Sequence, residues 1–330
     1  MTVDPHVPRS LIVVPSFRCP LRCQHCDLSG LSIEEPVPVE VWCERIGELA
    51  GEVEPPFMVG ISGGEPLVYP GLHHIVRTCR EAGFFVAVGT SALPLNEVSA
   101  GRLLEAGISE LVVSIDGLAP THDLLRGYPG LFQHALSCLR LVRRLSPRLS
   151  LSIVATVTRP AVGQLVGLVE LAQHDPAIDA ICFHTLSANL GGPDEHDPRW
   201  HRGSELWPGG HPGLDDELGR LMELAEQGAP IVNSAAELAQ MRRFYRDPDT
   251  HLRPCDQVDQ GLLMLPGGIV KLCPLQDPVG RFDERGLLEL WRSDAARRLR
   301  RRMRRCQRNC HFLTNFGYQR HLIPGAACAD

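Results

Sequence analysis

The chain has 330 residues, 44% of them hydrophobic, and a formal net charge of -6 at pH 7. That length can bury a sizeable core and suggests one large domain plus a smaller one, or a single α/β barrel with an appendage. No apolar run approaches the ~20 residues of a membrane span. The mild acidity argues against broad nucleic-acid binding, and the opening MTVDPHVPRS has no cationic-then-apolar leader, so a cytoplasmic protein is expected.

Taken in chain order, apolar runs alternate with helix-like stretches. LIVVPSF (11–17) precedes an amphipathic stretch near 38–51, FMVGISG (57–63) precedes LHHIVRTCREAG, and FVAVGTS (85–91) precedes LNEVSAGRLLEAG. ELVVSIDG (110–117) leads to a long helix near 130–145, LSIVATVT (151–158) precedes VGQLVGLVELAQ, and AICFHTL (180–186) runs into a long loop. Near-continuous apolar runs read as parallel strands covered on both faces. Six strand–helix units therefore predict an α/β fold, a parallel sheet curled into a partial (β/α)6 TIM-like barrel. The loop at 187–213 is rich in Gly, Pro, His and Trp, and a loop of that length is expected to be functional. Helices are expected near 214–228 and 234–246. GLLMLPGGIVKLC then reads as a hairpin turning at Pro-Gly-Gly, and LLELWRSDAARRLRRRM as a helix. The expected division is a core barrel over 1–230, a helical linker over 231–254 and a small hairpin-plus-helix domain over 255–330.

In a parallel barrel, chemistry collects at the C-terminal ends of the strands. Successive runs end in Cys19, Cys23 and Cys26; in GGEP; in Thr90 and Ser91; in Ser114 and Asp116; in Thr156 and Thr158; and in His184 and Thr185. Six polar strand ends on one rim are hard to explain by packing alone. Twelve cysteines in a reducing compartment point to metal ligands or buried apolar residues rather than disulfides. Cys43, Cys79 and Cys138 sit singly in helix-like stretches and read as core. Cys182 and Cys328 are ambiguous. FRCPLRCQHCDLSG (17–30) packs three cysteines into eight residues. Three thiolates can hold three irons of a four-iron, four-sulfur cluster and leave the fourth open. Zinc with His25 as a fourth ligand, or a disulfide with one cysteine left over, remain alternatives at this point.

The pattern Cys19-x3-Cys23-x2-Cys26, with His25 before the last cysteine, resembles the signature of the radical S-adenosylmethionine (SAM) enzymes. SGGEPL (62–67) resembles their second motif, and SIDGLAPTHDLLRG (114–127) resembles a stretch found in the subgroup with C-terminal auxiliary clusters. The resemblance implies that SAM chelates the open iron and is cleaved by the reduced cluster to methionine and a 5'-deoxyadenosyl radical. That radical takes a hydrogen atom from a substrate carbon. It also implies SAM contacts from Gly63, Gly64, Glu65, Pro66, Ser114, Asp116, Arg126 and His184. Gly63 and Gly64 would let the backbone approach the ligand, Glu65 would accept from the amino group, and Arg126 would pair with the carboxylate. Thr90 and Ser91 stand where the family usually has Thr-Asn-Gly; here the stretch reads GTSALP.

Cys255, Cys273, Cys306 and Cys310 resemble the shortened, twitch form of the SPASM domain, with one fully ligated auxiliary four-iron cluster suited to electron transfer. Zinc uses four thiolates equally well. Cys328 is the reserve ligand. The arginines of ARRLRRRMRRCQRNC (296–310) form a solvated face or a basic wall that offsets the charge of a thiolate cluster. Cys182 shares a strand face with His184 and could return a hydrogen atom to a substrate radical, although a buried strand cysteine is the simpler reading. The expected reaction is oxidation or rearrangement of a small polar metabolite, with flavodoxin or ferredoxin as electron donor. The alternative is crosslinking or epimerisation of a peptide. It is weakened by a first strand that begins by residue 11, which leaves no room for a leader-binding domain ahead of it. A non-catalytic iron-sulfur carrier has no use for SGGEPL and SIDG.

Overall fold

The computed structural model describes residues 6–31, 36–54, 56–189, 191–250, 255–308 and 310. Among these residues nine strands form one sheet, in the order β6-β5-β4-β3-β2-β1-β7-β8-β9. The six apolar runs become β1 (Ser10–Val13), β2 (Met58–Ile61), β3 (Phe85–Thr90), β4 (Glu110–Ser114), β5 (Ser150–Val157) and β6 (Ala180–Thr185). Each pairs in parallel with its sequence neighbour. The helices between them are α1 (Val39–Gly47), α2 (Leu72–Glu81), α3 (Glu97–Glu105), α4 (Thr121–Arg126), α5 (Leu131–Leu145) and α6 (Leu165–His174). Four of the six strand ranges fall entirely inside the expected runs. The short α4, hidden inside SIDGLAPTHDLLRG, is an addition.

Burial explains the parallel arrangement. β2 is buried at all four positions, and Leu11, Val13, Val59, Ile61, Val86, Val88, Leu111 and Val113 belong to one apolar core between sheet and helices. β-branched residues suit a pleated surface covered by helices. α5 has the largest such face, with Leu131, Phe132, Leu136, Leu139 and Val142 buried.

The C-terminal part departs from the expected division. β7 (Gly261–Met264) pairs in parallel with β1, in the register Ser10↔Gly261 to Val13↔Met264. β8 (Ile269–Lys271) and β9 (Gly280–Arg281) then add antiparallel. The hairpin turns at Pro-Gly-Gly as expected, with Gly267 at φ 74°. It extends the barrel sheet instead of standing apart. α7 (Leu214–Glu226) and α8 (Ala235–Arg246), the latter within the stretch expected as a helical linker, pack together. Leu238, Met241, Phe244 and Tyr245 are buried. The Tyr245 hydroxyl donates to the Val157 carbonyl (3.0 Å) and accepts from the Leu186 N–H (2.8 Å). Its apolar side faces the core, so the sheet edge at β6 is covered.

α9 (Leu287–Trp291) and α10 (Asp294–Met303) carry the arginine-rich stretch. Arg300 is buried with its guanidinium 3.9 Å from the Trp291 ring centroid and donates to the Trp291 carbonyl. Arg302 and Arg304 pair with Asp277 and Asp259. Cation–π stacking and ion pairs thus tie part of this basic helix to the fold. Among the described residues no helix is long and apolar enough to cross a membrane.

Candidate functional site

The cysteine loop leaves β1 at the C-terminal rim and is fixed by backbone hydrogen bonds from two other elements. After β2, the N–H of Gly64 donates to the Ser16 carbonyl (3.0 Å) and the N–H of Glu65 to the Arg18 carbonyl (2.8 Å). From the other side, the Gln24 N–H donates to the Leu125 carbonyl at the end of α4 (2.8 Å). The Arg22 guanidinium donates to the carbonyls of Cys19 and Leu21.

The glycines of SGGEPL are required by this contact. A Cβ on Gly63, whose φ is +128°, would stand 2.7 Å from Val14 Cγ1 and 2.8 Å from the Ser16 oxygen. One on Gly64 would overlap the carbonyls of Phe17 and Arg18. Close approach is indeed what these glycines permit, and here the approached partner is the cysteine loop.

The loop closes one side of a cavity of about 360 Å³ over the strand ends. Cys19, Cys23, His25 and Cys26 line it from the loop. Gly63, Gly64, Thr90, Ser91, Ser114, Arg126, Thr156 and His184 line it from the rim. Five of the six strand ends therefore contribute polar groups or glycine backbone to one space, and β1 contributes through its loop. The three thiols lie within electrostatic reach of one another. Burial pushes the Cys19 thiol up to about 11, with Cys23 and Cys26 adding to the rise. Burial also raises Cys23, although Arg126 pulls it back, and it raises Cys26. Half-buried thiols raised in this way hold their protons near neutral pH unless a cation compensates their charge.

Four expected site residues lie elsewhere. Glu65 is 1% exposed and is not on the cavity wall. Its carboxylate accepts from Thr90 Oγ1 (2.7 Å), Leu67 N–H (3.2 Å), Ser91 N–H (2.9 Å) and Ser91 Oγ (2.5 Å). Four donors match the roughly four lone-pair sites of a carboxylate, so Glu65 ties the β2 loop to the end of β3. Pro66 is buried at the start of a 3-10 turn. Asp116 is fully buried behind the wall. It accepts from Arg126 Nε (2.6 Å) and the Thr156 N–H (3.0 Å), with His25 Nε2 at 3.7 Å. Burial alone would raise the Asp116 carboxyl; the Arg126 charge and these hydrogen bonds instead hold it well below the usual carboxylate range.

Cys182 is the fourth. Alternation places it on the cavity face of β6, as expected, but one row below His184. It is 0% exposed and packed against Val112, Val154 and Val232. Covered in this way, its thiol does not reach the cavity, and the hydrogen-donor role is not supported. The row number along the strand, which alternation cannot supply, decides this.

Sequence reasoning also missed supports. His122, quoted only as part of a motif, is buried and accepts the Asp116 N–H on Nδ1 (3.1 Å). Burial lowers His25, His122 and His184 to about 4, so all three are neutral near pH 7. Gly127, in the left-handed region at φ +67°, ends α4 against the Arg22 carbonyl.

The second cysteine group comes from the segments on either side of the β7–β8 hairpin and from the tail after α10. Cys255, Cys273, Cys306 and Cys310 all lie among the described residues; Cys328 does not. Burial pushes Cys310 up to about 12, with Cys273, Cys255 and Cys306 as the next causes in turn, which puts the four within electrostatic reach. Cys310 and Arg308 line a cavity of about 100 Å³ together with Trp200 and Ser187. Ser187 and Ala188 also line the main cavity and a third of about 350 Å³. The 187–213 loop stands between the two cysteine groups. Asn189 Nδ2 donates to Asp27 Oδ2 (2.9 Å), and Arg308 donates to the carbonyls of Glu195 and His196. Its Trp207 packs at right angles to Trp200 and against Phe244 and Tyr245 of α8. Among the described residues no three His, Cys, Asp or Glu converge closely enough for a single metal ion.

Residues 13–159 match the model of the Radical SAM superfamily. This stretch of the chain is a radical SAM superfamily domain. Over 185 residues the chain is 30% identical to the AdoMet-dependent heme synthase of Methanosarcina barkeri (strain Fusaro / DSM 804), covering 55% of this chain and 51% of the relative. Over 218 residues it is 28% identical to the pre-heme d1 synthase of Dinoroseobacter shibae, covering 65% and 51%. The chain thus spans about half the length of these curated relatives, both of them enzymes. In fold, it is similar to Streptococcus suis SuiB bound to S-adenosylmethionine, with a TM-score of 0.67 at 18% identity, covering 89% of this chain and 68% of that one. It is also similar to anSMEcpe with bound AdoMet, with a TM-score of 0.62 at 16% identity, covering 88% and 82%. The radical SAM domain accounts for the loop, the glycine clamp and α4. The match stops at residue 159, before β6 and most of the second cysteine group's surroundings.

Proposed function

We propose that the chain is a radical SAM enzyme acting on a small polar, non-peptide metabolite, which it oxidises or rearranges. The observation that supports this most is the convergence of Cys19, Cys23 and Cys26 on one cavity with the strand-end polar groups. The donor set fits a cluster with one open iron, since it offers three soft thiols and, among the described residues, no grouping that would hold a single ion. SAM bound at such a cluster would supply a 5'-deoxyadenosyl radical that takes a hydrogen atom from substrate.

The chain's own residues would do the rest. Gly63 and Gly64 bring backbone to the wall, Ser114 and Thr156 offer hydroxyls, and Arg126 offers a cation to a ligand carboxylate. His184, neutral and buried on the wall, would accept or donate a hydrogen bond without adding charge. The loop at 187–213 would exclude water from the reacting groups. Substrate would enter along Ser187 and Ala188, where the three cavities share a wall. Cys255, Cys273, Cys306 and Cys310 would bind a fully ligated auxiliary cluster that takes up an electron from the substrate radical, and a flavodoxin or ferredoxin would reduce the first cluster. The curated relatives are named for heme-type products, which supports a non-peptide substrate.

The test is release of 5'-deoxyadenosine by anaerobically reconstituted enzyme with SAM and dithionite, in the presence of cell extract split through a small-pore membrane. Stimulation by the filtrate alone supports a small metabolite. Stimulation by the retained fraction alone shifts the reading to a peptide or protein substrate. No 5'-deoxyadenosine under any condition overturns the enzyme reading.

A further inference from the structure

Arg126 was expected to serve the carboxylate of a bound ligand, but its surroundings give it a second partner. Its Nη1 lies 3.9 Å from Cys23 Sγ, and its Nε donates to Asp116 Oδ2 at 2.6 Å. The guanidinium is held from both ends. Asp116 is fully buried and is itself oriented by the Thr156 and His122 hydrogen bonds. α4, whose last residue is Arg126, is joined to the cysteine loop by Gln24, which donates its backbone N–H to Leu125 and its side-chain amide to Leu124. The approach of Arg126 to Cys23 is therefore set by five separate hydrogen bonds and not by one flexible side chain. A guanidinium has five N–H donors in a rigid fork, so a sulfur contact and a ligand contact are compatible.

We infer that Arg126, anchored by Asp116, is a positioning residue that donates to the Cys23 thiolate of the cluster and makes the cluster easier to reduce. Hydrogen bonds to cluster sulfurs and nearby positive charge both move reduction potentials upward. This inference rests on the radical SAM reading of the site. It adds that the Ser-x-Asp-Gly…Arg stretch acts on the cluster before any SAM arrives.

The experiment is an EPR-monitored redox titration of reconstituted protein without SAM, with iron and sulfide counted for each variant. Cys255→Ala/Cys273→Ala protein serves as background, so that one cluster is titrated. Arg126→Gln should load iron at the background level and shift the reduction equilibrium about tenfold toward the oxidised form, about 59 mV for one electron. Asp116→Asn should shift it in the same direction by less, and Arg126→Lys, which keeps charge but loses the fork, should fall between. Unchanged midpoints in the variants that load iron overturn the inference, and a loss confined to SAM affinity assigns Arg126 to the ligand alone. Where Arg126→Gln fails to load, the midpoints of Arg126→Lys and Asp116→Asn decide. Background protein that binds no oxygen-sensitive cluster refutes the radical SAM reading itself.

Discussion

The two cysteine groups flank strands of one sheet but are built differently. The first hangs from β1 and is fastened by backbone hydrogen bonds from the β2 loop and from α4. Overlap at Gly63 and Gly64 leaves its loop one path. The second is drawn from distant segments: the approach to β7, the end of β8 and the tail after α10. Bonds beside its cysteines include Gln276 N–H to Cys273 carbonyl, Cys306 N–H to Met303 carbonyl and Arg308 N–H to Cys306 Sγ, and Arg308 also reaches the carbonyls of Glu195 and His196. The first site is thus shaped by one loop and its clamps, whereas the second gathers its cysteines from segments far apart in the chain, which a metal bound there, as proposed, would hold together. Metal sites that are not preformed couple binding to folding.

The comparison can be broken in several ways. The largest effect is expected from Cys26→Ala, which should cut 5'-deoxyadenosine release by about a thousandfold, near 4 kcal/mol of barrier. Cys306→Ala should lower iron content while leaving uncoupled SAM cleavage measurable. Equal losses in the two assays would erase the distinction. Next, stripping iron with a chelator under oxidation should make the 304–310 segment a target of limited proteolysis and leave the 17–30 loop intact; peptide mapping reads this directly. Gly64→Ala should cost about 1–3 kcal/mol through overpacking, lowering Tm and iron loading at the first group. Glu65→Gln places an amide against the Thr90 and Ser91 donors and should cost about 1–2 kcal/mol, read from urea denaturation.

The most gradual expected effect is acid sensitivity. His122 and His184 stand near 4 in the folded protein and 6.5 when unfolded. The unfolded chain therefore takes up protons first as pH falls below 6.5, and stability drops from there toward pH 4, by roughly 1 kcal/mol per pH unit for each histidine. Thiol labelling across that window should reach Cys19, Cys23 and Cys26 in apo-protein first. Earlier labelling of Cys273 would reverse the ranking of the two sites.

Much of the first site was legible in the sequence because its information is local. Three cysteines within eight residues, a Gly-Gly pair after a strand and polar residues at six strand ends each lie within one strand–loop unit. What those residues touch was not legible. Glu65 and Asp116 occupy motif positions, yet both are fully engaged by the protein, since a carboxylate buried behind a cavity wall must find donors. Alternation gave Cys182 the correct face, but depth within the barrel depends on register with β5, where Cys182 meets Val154. The hairpin at GLLMLPGGIVKLC was readable from its turn. Its pairing with β1 was not, because no local pattern records a partner at that separation.

That pairing has a consequence for how the molecule is made. β1 lies inside the sheet, between β2 and β7. Its second neighbour is translated roughly 250 residues after it. A nascent chain thus presents the strand bearing the first cysteine loop as an open edge, able to pair with another copy, until nearly all the chain has left the ribosome. Synthesis speed, holdase chaperones and low expression temperature should consequently govern the yield of soluble protein. Shortening the gene before codon 261 should give aggregates, even though every cysteine of the first group is still encoded.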